Sequence, residues 1–378
     1  MAMRSAVFFE IQQPPSKVKS LIASQYFKAW AMVMTGTKSK EPNVGYIDPF
    51  AGQGKFDDGS DSTPILILKD AIGTDRIKHS LWSYFNDRDQ GNIDSLRREI
   101  SSLPGVDGLT HAPEFNCKLA SPAMADDLSA YSLRPTFVFA DPFGYVGISL
   151  QLLERLLKHK KSELLVFFNT NRISPGVANP FVKEHIDALF GVDRAAAVRQ
   201  KVRDLHGLQR EEAVLDSFEE AMRSGGFAYI TRFRFASMSQ DRTSHHLIHC
   251  SRHPKGEEIM KDIMARHSHK RPDGVATFEF KKQTIQPSLF DQEAGYTEPP
   301  EELAGAILTF FAGRTMTLAE IWRAHAHGTN FVERNYREAL LHLEAQGKIS
   351  VEPPLAARGT RSGQPVWGSN TRARFPRQ

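Results

Sequence analysis

Cysteine is scarce in this sequence. Cys117 and Cys250 are the only two among 378 residues, which is too few for a disulfide framework. No run of about 18 apolar residues occurs, so the sequence contains no candidate membrane span. The first residues do not form a basic segment followed by an apolar one. We therefore expect a cytoplasmic protein.

A strong excess of one charge is also missing. The chain has 48 Lys and Arg residues against 44 Asp and Glu residues, which gives a formal net charge of +4. Such a balance permits a polyanionic partner but does not require one. We find no internal repeat, and the length is sufficient for two domains, one of them large.

The turn after residues 44–48 lacks part of a common nucleotide-binding pattern. A short apolar run ends in Asp48 and is followed by Gly52 and Gly54. This pattern predicts a buried strand that leads into a loop whose backbone can approach a ligand closely. Nicotinamide-dependent oxidoreductases need a third glycine where this chain has Asp57. An oxidoreductase is therefore disfavoured.

Two further predicted strands end in an acid. Residues 81–87 end in Asp87, and the strongly apolar residues 136–140 are followed by Asp141. Open α/β sheets bind their ligands at the carboxyl ends of the strands. Asp87 is placed to accept hydrogen bonds from ribose hydroxyls, although capping of the next helix is an alternative role. A third strand near Phe115 is weakly marked, and no adenine contact follows from it.

These motifs resemble those of class I S-adenosylmethionine (SAM) methyltransferases. The acid-x-Phe-x-Gly-x-Gly turn resembles their first motif, and the Asp-Pro-Phe series resembles the Asp-Pro-Pro-aromatic motif of the amino-group methyltransferases. The form Asp-Pro-Phe-Gly is similar to that of tRNA guanine N2-dimethyltransferases. The resemblance implies a SAM site at Asp48, Phe50, Gly52, Gly54 and Asp87, and a catalytic site at Asp141, Pro142 and Phe143.

A wider set of residues is similar to the three-Cys-motif partner proteins, a bacterial family. The shared features are Lys17-x-Lys19 with Tyr26 and Trp30, the turn at 46–54, Thr63-Pro64, Asp87-Arg88-Asp89 and the Asp141 motif. Where the family tends to have Gly-Ser-Pro, this chain has Ser62-Thr63-Pro64. The family is named for an accompanying radical-SAM-like protein. The resemblance therefore implies such a partner and a methyltransferase-like fold, but no established reaction.

Together the patterns predict an α/β fold in two domains. Residues 1–280 are expected to form a Rossmann-like, seven-stranded methyltransferase sheet that closes with an antiparallel pair at 229–235 and 243–250. A helix is predicted over residues 16–34, and we expect its Lys17 and Lys19 to be solvated, although both could reach an anionic group. Residues 281–300 are expected to form a linker. Three helices and strands at 348–351 and 365–367 predict a winged-helix domain over 301–378.

The predicted C-terminal domain has an excess of basic residues. Residues 301–378 contain ten Lys and Arg against seven Glu, and beyond Pro353 there are five arginines and no acid. This excess favours contacts with the phosphates of DNA or RNA. Winged helices also bind proteins, so both partners remain open. The candidate nucleic-acid contacts are Arg334, Arg337, Arg358 and Arg361.

Histidines are concentrated at residues 245–253, next to Cys250. Alternation along a strand would place His245 and His249 on one face and His246 and Cys250 on the other. Zinc usually takes four convergent ligands. We therefore expect no metal site.

Two functions are compatible with these features. The first is SAM-dependent methylation of an exocyclic amine of a nucleic-acid base, in modification or repair. The second is a non-catalytic subunit that binds SAM or a nucleoside together with nucleic acid. A segment with Gln286, Leu289 and Phe290 resembles the peptide by which bacterial DNA-processing proteins bind the sliding clamp. The alternative is that its apolar pair packs on the protein's own core.

Overall fold

A computed structural model describes residues 15–36, 43–128, 131, 133–142, 144–236, 243–271, 275–281, 301–361 and 364–377. The described residues divide into two compact units. Unit 1 contains those within 1–225, 234–248 and 280–286, and unit 2 contains those within 226–233, 249–279 and 287–378. Within the described ranges, no helix is long and apolar enough to cross a membrane.

The large sheet has eight strands in the order β3-β2-β1-β4-β5-β7-β6-β8. The strands β1 to β5 are parallel wherever they pair with one another. Only six residues join β6 to β7, too few for a parallel crossover, so these two strands are antiparallel. The predicted α/β fold with a large, mostly parallel sheet is confirmed, but the sheet has eight strands where seven were predicted. Its strands are β1 (Val44–Asp48), β2 (Leu81–Asp87), β3 (Glu114–Cys117), β4 (Thr136–Ala140), β5 (Glu163–Phe168), β6 (Tyr229–Ala236), β7 (Thr243–Ser251) and β8 (Glu279–Lys281).

Strand order reverses at β1, which pairs with β2 on one side and with β4 on the other. All five residues of β1 and all five of β4 are buried, as expected for central strands covered on both faces. Gly45 lies opposite Thr136, and a Cβ at Gly45 would lie 2.5 Å from the Thr136 hydroxyl oxygen. The pairing therefore requires glycine at this position. It also places the carboxyl ends of β1 and β4 next to each other, at the switch point where such sheets bind ligands.

Helices cover the sheet. The first helix, predicted over 16–34, spans Pro15–Met34 and buries Tyr26, Phe27 and Trp30 around the ring of Phe137. The helices up to residue 266 are α1 (Pro15–Met34), α2 (Thr63–Ile72), α3 (Asp75–Lys78), α4 (Gln90–Ser101), α5 (Pro122–Asp127), α6 (Leu150–Leu156), α7 (Thr170–Gly176), α8 (Lys183–Phe190), α9 (Val192–Lys201), α10 (Gly207–Ser224) and α11 (Pro254–Arg266).

Unit 2 contains the winged helix. Its elements are α12 (Glu301–Phe310), β9 (Thr315–Thr317), α13 (Leu318–His325), α14 (Glu333–Ala345), β10 (Ser350–Glu352), β11 (Thr360–Arg361), β12 (Gln364–Pro365) and β13 (Arg372–Arg374). The predicted three helices are confirmed. The prediction that strands at 348–351 and 365–367 form the wing together is wrong. Strand β10 pairs with β13 in a sheet ordered β10-β13-β9, and among the described strands β12 pairs with β11. Strand β13 is the central strand of this sheet, and its Ala373 faces the core of the unit.

Candidate functional site

Asp48 ends β1 in an almost fully buried position, 1% exposed. The backbone amide of Phe50 donates a hydrogen bond to Asp48 Oδ1 at 3.0 Å, and the Tyr46 hydroxyl donates to Oδ2 at 3.3 Å. Burial outweighs these bonds and raises the pKa of Asp48 to about 8, with a further increase from the nearby charge of Asp141. Asp48 is therefore largely neutral at neutral pH.

The glycine turn after Asp48 is held against the end of β2. Gly52 and Gly54 have φ angles of 66° and 95°, which residues with a side chain rarely adopt. The amide of Gly52 donates to Asp87 Oδ2 at 3.1 Å, while the Asp87 Oδ1 atom accepts from the Asp89 amide at 2.9 Å and from the Asn92 side chain at 3.2 Å. Asp89 caps helix α4. Asp89, and not Asp87, therefore caps the helix, and the Asp87 carboxylate faces the glycine turn.

Asn86 positions this edge of the sheet and was not identified from the sequence. It is fully buried, and its side-chain amide donates to the carbonyls of Pro49 and Lys118 at 3.1 and 2.9 Å. Its Oδ1 accepts from the Lys118 amide at 3.1 Å, and its own carbonyl accepts from the Ala51 amide at 2.8 Å. Asn86 therefore fixes the glycine turn and the loop after β3 relative to each other.

Asp141 follows β4 and forms an ion pair with Lys19 of helix α1. The expectation that Lys19 is solvated is wrong: only 7% of the residue is exposed, and its amine also lies 4.5 Å from the centre of the Phe167 ring. Lys17 is the more exposed of the two lysines and pairs with Asp58 at 2.8 Å. Helical periodicity alone could not separate them, because the direction in which α1 packs on the sheet decides which lysine is covered.

Two clefts open at the carboxyl edge of the strands. The larger, of about 540 Å³, is lined by Asp87, Arg88, Leu119, Ala120, Tyr145 and Arg172 among others. The smaller, of about 200 Å³, is lined by Asp48, the glycine turn, Lys19 and residues 62–64. Phe50 and Asp141 line both clefts. The structure thus gathers Asp48, Phe50, Gly52, Gly54, Asp87 and Asp141 around one connected region.

The loop after β3 supplies residues that the sequence did not reveal. Leu119 lines the larger cleft although 60% of its surface is exposed, and Ala120 lies beside it. The only signal in the sequence was their position just after a weak strand. Leu119 offers an apolar surface to the cleft that Asp87 also lines, which suits a flat aromatic ligand.

His245 lies close to Asp141. Its ring stacks on Phe167 with centroids 4.4 Å apart and an angle of 10° between planes. Burial lowers the pKa of His245 to about 4, while the charge of Asp141 acts in the opposite direction. The ring is therefore neutral at neutral pH. Its neighbour His246 instead bonds Thr170 at 2.9 Å.

Pro142 is buried, and its carbonyl accepts a hydrogen bond from the Gly144 amide at 2.8 Å. Phe143 lies outside the described residues, as do residues 282–300, which include Gln286, Leu289 and Phe290 of the clamp-like segment. The larger part of the expected linker at 281–300 therefore has no structural account here.

The candidate nucleic-acid contacts differ in exposure. Arg334 and Arg337 lie on α14 and pair with Glu338 at 2.7 Å and Glu333 at 3.0 Å, with side chains 58% and 44% exposed. Arg358 pairs with Glu344, and its side chain is only 3% exposed. Its guanidinium also lies 5.2 Å from the Trp367 ring centre, so in this conformation Arg358 faces protein. The side chain of Arg361 lies outside the described part of the structure.

A family model described as a GMT-like wHTH domain matches residues 277–355. Among solved structures, protein LPL1258 of Legionella pneumophila is 11% identical and has a TM-score of 0.38, over 65% of this chain and 91% of that one. Human methyltransferase 10 domain containing protein is 12% identical, with a TM-score of 0.33 over 62% and 83% of the two chains. The N-terminal domain of human METTL16, solved in complex with SAH, is 13% identical, with a TM-score of 0.31 over 60% and 68%. No curated protein matches the chain.

Proposed function

We propose that this protein is a SAM-dependent methyltransferase whose target is an exocyclic amine of a nucleic-acid base. The observation that carries the proposal is the position of Asp141, which lines both clefts at the switch point of the sheet. One cleft holds an acid at the end of β2, and the other holds the glycine turn. A carboxylate on the wall shared by the two clefts is placed to contact a substrate group next to a cofactor that occupies them.

The side chains around the clefts fit the parts of SAM. Asp87 can accept hydrogen bonds from ribose hydroxyls, and Leu119 with Phe50 provides apolar surface for the adenine. In the smaller cleft the buried Ser62 Oγ atom has no hydrogen-bond partner among the described residues, and the glycine turn lines the same cleft. A buried polar atom without a partner is costly unless a ligand satisfies it. When bound, SAM supplies an electrophilic methyl group.

Asp141 is suited to act on the acceptor amine. The lone pair of an exocyclic amine is delocalised into the base, which makes the nitrogen a weak nucleophile. Lys19 binds Oδ2 of Asp141, and among the described residues nothing else bonds this carboxylate. Oδ1 can therefore accept a hydrogen bond from the amine and favour tetrahedral geometry at the nitrogen. The fixed ion pair would hold the carboxylate in place and so reduce the entropic cost of alignment.

A nucleic acid is proposed as the substrate because the winged-helix unit accompanies the sheet. A base within a duplex would have to rotate out of the helix to reach Asp141. Phe143, which follows in the sequence motif, is proposed to stack on the base. The radical-SAM-like partner and a role in DNA repair rest on the sequence resemblance alone.

The experiment compares the wild type with Asp141→Ala and with Asp193→Ala, a matched change at an exposed acid of α9. Total DNA and RNA would be incubated with labelled SAM, and nucleosides identified by mass spectrometry. We expect Asp141→Ala to lose transfer by on the order of a hundredfold or more, while calorimetry shows nearly unchanged SAM affinity. Wild-type turnover in Asp141→Ala would remove the catalytic assignment.

A non-catalytic role is the second candidate, favoured by the Lys19–Asp141 ion pair. In that case Lys19 would occupy the carboxylate permanently and no amine would reach it. SAM binding by the wild type without any modified nucleoside, in vitro and in cells fed labelled methionine, would support this candidate over the enzyme.

A further inference from the structure

Four exposed arginines lie together on the three-stranded sheet of unit 2 and at the end of that sheet. Arg372 and Arg374 are both exposed on β13, while Ala373 between them is fully buried. Arg314 is exposed just before β9, and Arg377 is exposed after β13. The Phe375 amide donates to the Arg314 carbonyl at 2.9 Å, and the Gly313 amide donates to the Pro376 carbonyl at 3.0 Å. We call Arg314, Arg372, Arg374 and Arg377 the arginine cluster.

The register of the sheet fixes which side of it carries the charge. Arg374 lies opposite Ser350 on β10 and Thr315 on β9, and both neighbours are exposed. Ala373 lies opposite Val351 and Met316, which pack against the core. Because side chains alternate along a strand, one face of the sheet is apolar and covered, and the other is polar and open.

Few acids oppose the arginine cluster. Glu352 lies across from Arg372 on β10 and is exposed. Glu320 is bound to the amide and hydroxyl of Thr317 in the cap of α13 at 2.8 and 3.0 Å. Within the described part of the chain, no member of the arginine cluster forms an ion pair with a carboxylate. The guanidinium groups are therefore available to an external anion.

The exposed side of α14 is different. Arg334 and Arg337 each have a glutamate partner one helical turn away. From Glu333 to Ala345 the helix has two arginines and three glutamates, so it carries no net positive charge. A phosphate that approached α14 would have to compete with these glutamates and would meet their repulsion.

We propose that the polar face of the β10-β13-β9 sheet, through the arginine cluster, is the surface of unit 2 that binds the phosphate backbone of nucleic acid. This inference rests on the proposed nucleic-acid substrate and assigns its phosphate contacts to β13 in place of α14. Arg372 and Arg374 stand about 7 Å apart along the strand. Each planar guanidinium can bind a phosphate through two parallel hydrogen bonds. Residues 372–377 lie beyond the segment matched by the family model, which ends at residue 355.

The test uses the full chain and two double variants that lose the same charge. Arg372→Ala/Arg374→Ala removes the pair on the sheet, and Arg334→Ala/Arg337→Ala removes the pair on α14. Binding to a fluorescein-labelled DNA duplex, and to a single-stranded RNA of the same sequence, is measured by anisotropy over a range of salt concentrations. Thermal melting confirms that both variants fold, which is expected because all four side chains are exposed.

For the sheet variant we expect affinity to fall by about ten- to a hundredfold near physiological salt, and the slope of log K against log salt to decrease by about 2. The α14 variant should bind like the wild type. Loss of binding in the α14 variant with normal binding by the sheet variant would overturn this inference and leave the nucleic-acid substrate intact. A wild type that binds neither probe would overturn both.

Discussion

Asp48 and Asp141 follow adjacent parallel strands, yet their surroundings separate their chemistry. Asp48 is buried with a raised pKa near 8, whereas Asp141 is partly exposed and forms an ion pair with Lys19. Two carboxylates that interact across a site are more easily accommodated when one is neutral. The neutral Asp48 thus supports the glycine turn through the Phe50 amide, and Asp141 pairs with Lys19 where the two clefts meet.

The first prediction concerns Asp48→Asn, which replaces the acid with a neutral group of similar shape. As pH rises from about 4 to about 8, an unfolded Asp48 loses its proton while the folded one retains it. The unfolded state then binds fewer protons, so the wild type loses stability over this range, on the order of several kcal/mol from this group alone. Chemical denaturation at several pH values should show this decline in the wild type and a flatter profile in Asp48→Asn. Parallel profiles would mean that Asp48 ionises normally.

Asp87 gives the second prediction. Its carboxylate lines the larger cleft and accepts the Gly52 amide, so Asp87→Ala should weaken SAM binding by roughly 1–3 kcal/mol in calorimetry. Asp94→Ala serves as the control, since the exposed Asp94 accepts a hydrogen bond from the Gln90 side chain on α4 and lines neither cleft. Equal affinities for wild type and Asp87→Ala would exclude Asp87 from the SAM site.

At the scale of the element, α13 shows how a local signal and a tertiary one agree. The helix begins at Leu318 because Thr317 and Glu320 form a capping box. The Thr317 hydroxyl accepts from the Glu320 amide at 3.3 Å. Leu318, Ile321 and Trp322 then cover the core of unit 2. The N-cap and the apolar residues therefore both favour a helix that begins at Leu318.

Thr317→Ala should therefore destabilise unit 2 by about 1 kcal/mol, the usual cost of losing an N-cap side chain. Thr315→Ala is a matched control on the same strand, because Thr315 is exposed and precedes the cap. Thermal unfolding followed by circular dichroism measures both. Equal melting temperatures for the Thr317→Ala and Thr315→Ala variants would show that the cap does not limit the stability of this unit.

At the scale of the whole molecule, unit 2 includes α11 as well as the winged helix. The buried Lys261 donates to the Ala326 carbonyl at 2.7 Å, and burial lowers the pKa of Lys261 to about 8. Glu257 binds His327 at 3.0 Å, and Glu258 binds Arg323 at 3.2 Å. These three contacts tie α11 to the segment around α13.

We expect a fragment of residues 249–378 to unfold cooperatively and at a higher temperature than a fragment of residues 301–378, because only the longer one keeps these contacts. Calorimetry of the two fragments measures the difference. In the longer fragment, the substitutions Lys261→Met and His327→Ala should lower the melting temperature toward that of the shorter fragment. Identical melting of the long and short fragments would show that α11 contributes nothing to the fold of unit 2.

Much of the fold could be predicted from local patterns. Strands β1, β4 and β5 each contain a short, largely apolar run, which is typical of a central parallel strand buried on both faces. The acids at the ends of β1 and β2 and after β4 were identified because the carboxyl edge binds ligands in every such sheet. By contrast, β13 was missed, since Arg-Ala-Arg has no apolar run and its partners lie 20 or more residues away.

The sequence by itself determined the periodicity of each element and the residues at the strand ends, because both depend on neighbours along the chain. Only the tertiary structure decided that Lys19, rather than Lys17, reaches Asp141, since the packing of α1 selects one side of the helix. It also decided the raised pKa of Asp48, which depends on burial by distant segments. The same holds for the charge on unit 2: glutamates on α14 neutralise its arginines, and cross-strand register leaves those of β13 exposed.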